Sequence, residues 1–186
     1  MKNLKLYNLE SVDNIVYPEN YKQITIDSPA ELIFTDFKYV NPLIIEDDTL
    51  AVDALKLMVK AHVQMKIVVS VNGDFLGIVS SKELSEQNIM AEIAKGVDRE
   101  DLYVKDMMLA RDTLQALEHK SIKNATVKDV VNILKHNGLS HCLVLDRQHH
   151  HIRGVISSSD IARKLHLPIE INTKTSFSQL FNIIHG

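Results

Sequence analysis

The sequence predicts a mixed α+β fold made of two pseudo-symmetric strand-helix-strand-strand-helix units in tandem. Three observations lead there. A long segment recurs within the chain, each copy switches from helical to strand periodicity at the same point, and each ends on the same glycine-and-serine pattern. Residues 49–84, TLAVDALKLMVKAHVQMKIVVSVNGDFLGIVSSKEL, lie over residues 125–161, ATVKDVVNILKHNGLSHCLVLDRQHHHIRGVISSSDI. Asp53 meets Asp129 and Val68 meets Val144 at an offset of 76. One extra residue in the His149-His150-His151 turn then brings Gly77 onto Gly154 and Ser80-Ser81 onto Ser157-Ser158. Polar turns accept such a length change better than strands do.

Residues 1–34 read as an N-terminal extension, with Pro18 and Pro29 among polar residues and room for a short helix and an edge strand. The first unit is expected over residues 35–95. It opens on the apolar strand Pro42-Leu43-Ile44-Ile45, after which Leu50, Ala54, Leu57, Met58 and Ala61 recur at helical spacing. Ile67-Val68-Val69 and Ile78-Val79 flank Asn72-Gly73-Asp74, and Asn-Gly between β-branched runs signals a hairpin. A second helix is expected to begin at Ser80-Ser81 and continue through Leu84. Residues 96–167 carry the linker and the second unit. The charged stretch from Met90 to Met108 reads as helical, with Gly96 as a stop. In the second unit Leu114 to Leu117 supplies the leading strand. Val127, Val130, Val131 and Leu134 form the helix stripe, and Leu143-Val144-Leu145 with Val155-Ile156 form the hairpin. The last helix starts at the serines and continues through Ile161. Residues 168–186 end in Phe177, Leu180, Phe181, Ile183 and Ile184, an apolar tail that needs cover on its own domain or across a dimer interface. Neither unit closes a core alone, because each exposes an apolar sheet face, so pairing the copies is the economical solution.

Bulk properties narrow the function classes. Of 186 residues 45% are hydrophobic, ordinary for a globular protein. Twenty-one Lys and Arg against 24 Asp and Glu give a formal charge of −3, which argues against a dedicated nucleic-acid binder. Cys142 is the single cysteine, so no internal disulfide can form, which fits a reducing compartment. The amino terminus lacks a signal-peptide apolar stretch, and no window approaches the roughly 18 apolar residues that span a bilayer. A cytoplasmic protein with neither a nucleic-acid nor a membrane partner is expected. No P-loop, dinucleotide fingerprint, nucleophile elbow or zinc-protease motif occurs, so no catalytic residue is assigned and the chain is not expected to be an enzyme.

Two octapeptides carry a family resemblance: Gly77-Ile78-Val79-Ser80-Ser81-Lys82-Glu83-Leu84 and Gly154-Val155-Ile156-Ser157-Ser158-Ser159-Asp160-Ile161. They match a pattern of Gly, two apolar residues, Ser or Thr, two variable positions and then Asp, with Glu83 departing at the last place. Val104-Lys105-Asp106-Met107-Met108 is similar to the usual lead-in to a copy. The chain resembles a tandem pair of cystathionine-β-synthase (CBS) domains over roughly residues 35–165. The resemblance implies a stand-alone Bateman module, a disc with pseudo-two-fold symmetry that forms a homodimer. It also implies a cleft between the repeats for an adenosine-containing ligand (AMP, ADP, ATP or S-adenosylmethionine) and signalling to an unidentified protein target. No cofactor is required in this reading; the adenosyl compound is a regulatory ligand. The competing reading is a structural or dimerisation protein with vestigial clefts.

Ser157 and Asp160 are the leading candidates. A strand running into a helix at Ser157 places its hydroxyl and nearby N–H groups at the positive helix end, which suits a phosphate. Asp160, one turn on, offers two acceptor oxygens to adjacent ribose hydroxyls. The same spacing also describes a capping box that merely satisfies the first-turn N–H groups. That second description is favoured for Ser80 and Glu83, the residues of the other cleft. By resemblance the base would rest against Gln64 and Met65 in the first copy and Ser140 and His141 in the second, with Thr35 adding a contact. His141 could reach a phosphate or stack on a base, or be a half-exposed strand histidine. The His149-His150-His151 run reads as a solvated turn rather than a metal site, because alternate side chains diverge along a strand. Cys142 is expected to be buried and inert, and Met107-Met108 to be packing.

Overall fold

Strands and helices are interspersed along the chain from a short first strand at Phe34. They run β1 (Phe34–Asp36), β2 (Ile44–Glu46), α1 (Ala51–Lys60), β3 (Met65–Val69), β4 (Phe75–Ser80), α2 (Glu86–Ala94), α3 (Val104–Met107) and β5 (Leu109–Ala110). Then follow β6 (Ala116–Glu118), α4 (His119–Lys123), α5 (Val127–Leu134), β7 (His141–Asp146), β8 (His151–Ser157), α6 (Ser158–Lys164) and α7 (Phe177–His185). The computed structural model describes residues 23–136, 138–167 and 175–185, together with residues 8, 10–12 and 14. The short helix and edge strand expected within residues 1–30 fall mostly outside them.

The strands form two four-stranded sheets, ordered β2-β3-β4-β5 and β1-β8-β7-β6. In each, a parallel pair (β2 with β3, β6 with β7) is joined through a helix, as parallel pairing requires, and an antiparallel hairpin follows. Both hairpins carry a register shift at the same place, between Val68 and Val69 and between Val144 and Leu145. The repeat in the sequence is therefore a repeat in pairing, down to the irregularity.

The fourth strand of each sheet comes from the segment leading into the other unit. β1 pairs with β8 of the second unit, and β5 pairs with β4 of the first. The exchange extends upstream on both sides. Ala30 N–H donates to the Ala125 carbonyl and Val127 N–H to that of Ser28; in the other half, Ala51 N–H donates to Leu102 and Val104 N–H to Thr49. The glycine opening each octapeptide makes this possible. A Cβ on Gly77 would collide with the Leu109 carbonyl, and one on Gly154 with the Thr35 carbonyl and the Phe34 ring. At Gly154 a bidentate ion pair adds to the closure: Arg153 donates from Nε to Asp36 Oδ1 at 2.6 Å and from Nη2 to Oδ2 at 2.7 Å.

Packing follows the exchange. Ala51, Ala54 and Met58 of α1 bury against Val68, Val79, Leu84 and Ile89, with Leu102 and Val104 arriving from the linker. The α1 stripe is narrower than its sequence suggests: Leu57 and Ala61 face solvent. On α5 all four expected residues, Val127, Val130, Val131 and Leu134, are buried, and a Thr126–Asp129 capping box starts the helix. Met65, Ile67, Ile78 and Leu143 form a third cluster where the two sheets meet, flanked by Phe37, Leu109 and Val155. The apolar tail finds its home on its own chain: Phe177 and Leu180 of α7 are fully buried in the core of the second unit.

One expected helix is displaced. In the second unit helix α6 starts directly after Ser157, as expected. In the first unit residues 81–84 form turns, and α2 begins only at Glu86 with Ser85 as its cap. Within that turn the Glu83 carboxylate accepts from the Ser80 N–H and hydroxyl. The linker helix ends at Ala94, before Gly96, whose φ of +99° suits glycine, and resumes only as the short α3.

Candidate functional site

The two octapeptides put their polar residues where a sheet edge meets the partner unit. Ser157 closes β8 opposite His141, the first residue of β7, and Thr35 pairs with Val155 on the other side of β8. Ser140, Ser157, Asp160, His141 and Thr35 thus gather at one end of the second sheet. Gln64 and Met65 stand at the matching end of the first sheet: Met65 lies opposite Ser80, and the Gln64 Oε1 accepts the Ser81 hydroxyl at 2.8 Å.

A small cavity joins the units. Its lining includes Ser80, Lys82 and Glu83 from the first and Leu139, Ser140 and His141 from the second, and its volume of about 10 Å³ holds one water-sized sphere. Gln64, Met65, Thr35, Ser157 and Asp160 do not line it. Small-molecule sites run to several hundred Å³, on the order of 300 or more, so the cavity in this arrangement is far too small for one. Lys82 and Leu139 were not singled out from the sequence; Lys82 occupies a variable place in the octapeptide, where only its charge could have drawn notice. A second hollow of about 190 Å³ lies beside it, lined by Glu83, Asn88, Glu92 and Asp106.

The two acids differ in how free they are. Glu83 Oε2 accepts from Ser80 N–H at 2.9 Å and from the Ser80 hydroxyl at 2.5 Å. It is already spent on the local turn. Asp160 leaves Ser157 to cap its own N–H at 3.4 Å, and Ser157 Oγ also lies 2.8 Å from Ser159 Oγ. The Asp160 side chain remains 31% exposed, and its partner is the solvent-exposed Arg163 one turn on. Exposed pairs at this spacing contribute little, typically below about 1 kcal/mol, so the carboxylate can exchange Arg163 for a hydroxyl-bearing ligand at small cost.

His141 is only 8% exposed. Burial pushes its imidazole down to about 4, and the nearby Asp160 charge opposes this to a smaller extent. The ring is therefore neutral at pH 7, able to stack or to share one N–H. Burial pushes the Cys142 thiol up to about 11, leaving it protonated and unreactive. His149 turns to Asp146, with Nδ1 2.9 Å from Oδ2, and no cluster of three potential metal ligands occurs among the described residues. Among those residues no helix is long and apolar enough to cross a membrane.

The family model described as "CBS domain" matches residues 36–87 and 123–167. No curated protein matches the chain. Among solved structures, an uncharacterized conserved protein from Pyrococcus horikoshii is 18% identical with a TM-score of 0.56, covering 81% of this chain and 99% of its own. CBSX2, a CBS-pair protein from Arabidopsis thaliana solved in complex with AMP, is 19% identical with a TM-score of 0.50 over 73% of this chain and 93% of its own. The CBS domain pair of MJ0100, solved with 5′-methylthioadenosine and S-adenosyl-L-methionine, is 16% identical with a TM-score of 0.51 over 73% and 98%.

Proposed function

From the premise that this chain belongs to the CBS-domain family, two copies of which it carries in tandem, we propose that it is a regulatory module for an adenosine-containing ligand. The ligand occupies the cleft of the second copy. Asp160 accepts the two ribose hydroxyls, the Ser157 end of β8 receives a phosphate or the equivalent polar group, and the neutral His141 ring lies against the base or its linkage. The observation that carries this reading is the contrast between the acids: Asp160 is loosely held and partly open, while Glu83 is bound to its own Ser80. The AMP and adenosyl ligands in the structures of CBSX2 and the MJ0100 pair support the choice of ligand class. Binding favours one relative arrangement of the two copies, and a protein target reads that population.

The test is a thermal-shift screen with AMP, ADP, ATP and S-adenosylmethionine. A ligand at a hundred times its Kd stabilises by about 2.7 kcal/mol, which for a chain of this size raises Tm by roughly 5–11 °C. Asp160→Ala removes the shift. The small inter-copy cavity favours a second reading, a structural protein with vestigial clefts. It predicts no shift with any of the four compounds and a concentration-dependent dimer that weakens when residues 168–186 are removed.

A further inference from the structure

We propose that the C-terminal helix α7 is the element that reports whether the second-copy cleft is occupied, and that Ser158 is the residue coupling the two. This inference rests on the ligand reading given above and adds the route by which binding leaves the site.

Ser158 is fully buried and follows Ser157 directly. Its N–H donates to the Ser140 carbonyl at 3.0 Å, and its hydroxyl is placed against two carbonyls, those of Ser140 (3.1 Å) and Thr175. Two residues beyond Thr175, Phe177 N–H donates to the Leu139 carbonyl at 3.1 Å. Leu139 and Ser140 are themselves wall residues of the cavity between the units. The start of the tail is therefore hydrogen-bonded to the residues just before β7, which form the second unit's wall of that cavity, and Phe177 and Leu180 carry that attachment into the core.

The repeat supplies an internal control. Ser81, the counterpart of Ser158, donates its N–H to the Gln64 carbonyl at 3.0 Å, as Ser158 does to Ser140. Its hydroxyl, however, bonds the Gln64 side chain within the first copy. The main-chain contact is common to both copies; the link to α7 seen among the described residues runs from the second. Leu139 and Ser140 belong to the second unit's wall of the inter-unit cavity, Ser158 is hydrogen-bonded to the same wall, and α7 is attached to it through both Phe177 and Ser158. Ligand affinity and α7 docking are then linked, and by reciprocity each changes the other by the same factor.

Hydrogen exchange on the full chain, with calorimetry to score binding, tests this with AMP and S-adenosylmethionine as probes. Saturating ligand is expected to slow exchange of the α7 amides severalfold. In Ser158→Ala the α7 amides should exchange faster without ligand and respond less to it, and the ligand affinity should fall. Ser81→Ala should leave the α7 response intact. Ser176→Ala provides a second route that avoids the buried core, since it removes the reciprocal Ser176–Gln179 cap at the start of α7; it too should weaken the ligand. Calorimetric binding with no change in α7 exchange overturns the coupling and leaves the ligand reading standing. Absence of binding by any adenosyl probe overturns the ligand reading, and the coupling falls with it.

Discussion

Replacing Gly154 by alanine tests the strand exchange where it is tightest. The new Cβ would lie within the contact radius of the Thr35 carbonyl and the Phe34 ring, and the obstacle on one side is backbone. Backbone cannot swing aside as a flexible side chain can, so either β8 bends or β1 lifts away. Overpacking of this kind costs about 1–3 kcal/mol. If β1 lifts, its three-residue pairing and the Asp36–Arg153 pair are lost as well, pushing the cost to the top of that range or beyond. For a chain of this length each kcal/mol moves Tm by about 2–4 °C, so Gly154→Ala should melt at least several degrees early. Gly138→Ala is the matched control, because nothing lies within 4 Å of its Cβ position. It removes unfolded-chain freedom without a clash and should be neutral or stabilising by up to about 1 kcal/mol. Urea unfolding of both variants supplies the comparison. Equal stabilities for the two would show that β1 does not sit on Gly154 and would refute the exchange.

Three further outcomes follow from the same geometry. The hydrogen bonds from Arg153 hold the Asp36 carboxyl below its usual 3.8; its contribution is complete above the unfolded-state value and is lost as pH falls through the lower folded one. Asp36→Asn should therefore flatten the acid limb of stability below about pH 4, measured as urea midpoints from pH 3 to 6. His141 acts in the same direction over a higher window: with the folded ring near 4 and an unfolded value of 6.5, the unfolded chain binds the extra proton between them. Stability should fall as pH drops from 6.5 toward 4, by up to about 3 kcal/mol, and His141→Gln should remove that slope; an NMR titration placing the imidazole near 6.5 would contradict it. Phe177→Ala should cost about 3–5 kcal/mol, and a cost below about 0.5 kcal/mol would mean that α7 does not dock as described.

Much of this fold could be read from residues alone, and the parts that could not share a cause. The duplicated order of elements, the Asn-Gly hairpin and the α5 stripe are local patterns, fixed by spacing within a dozen residues or so. Strand exchange is not local. Thr35 is expected from the sequence only to add a contact, and nothing around it says that it pairs with Val155 rather than with a neighbour in the same copy. The two Ser-Ser pairs differ in local bonding: Glu83 reaches back to the Ser80 N–H within a turn, while the shorter Asp160 leaves Ser157 to cap α6. The short α4, which has no counterpart in the first copy, carried no recognisable cap or stripe. For α7 a signal was present and unused, since Ser176-x-x-Gln179 is a capping box just before an apolar run. At the site, sequence reasoning named Ser80, Glu83, Ser140 and His141. That they face one another across the same small cavity is a property of how the sheets pack.

A calorimetric titration of AMP into the wild-type chain, Asp160→Ala and Glu83→Gln measures the assignment directly, since it reports both affinity and the number of sites. One ligand per chain is predicted, with affinity falling at least about tenfold, or roughly 1.4 kcal/mol, in Asp160→Ala and unchanged in Glu83→Gln. Two equivalent sites, or a loss confined to Glu83→Gln, would contradict the placement of the ligand in the second copy.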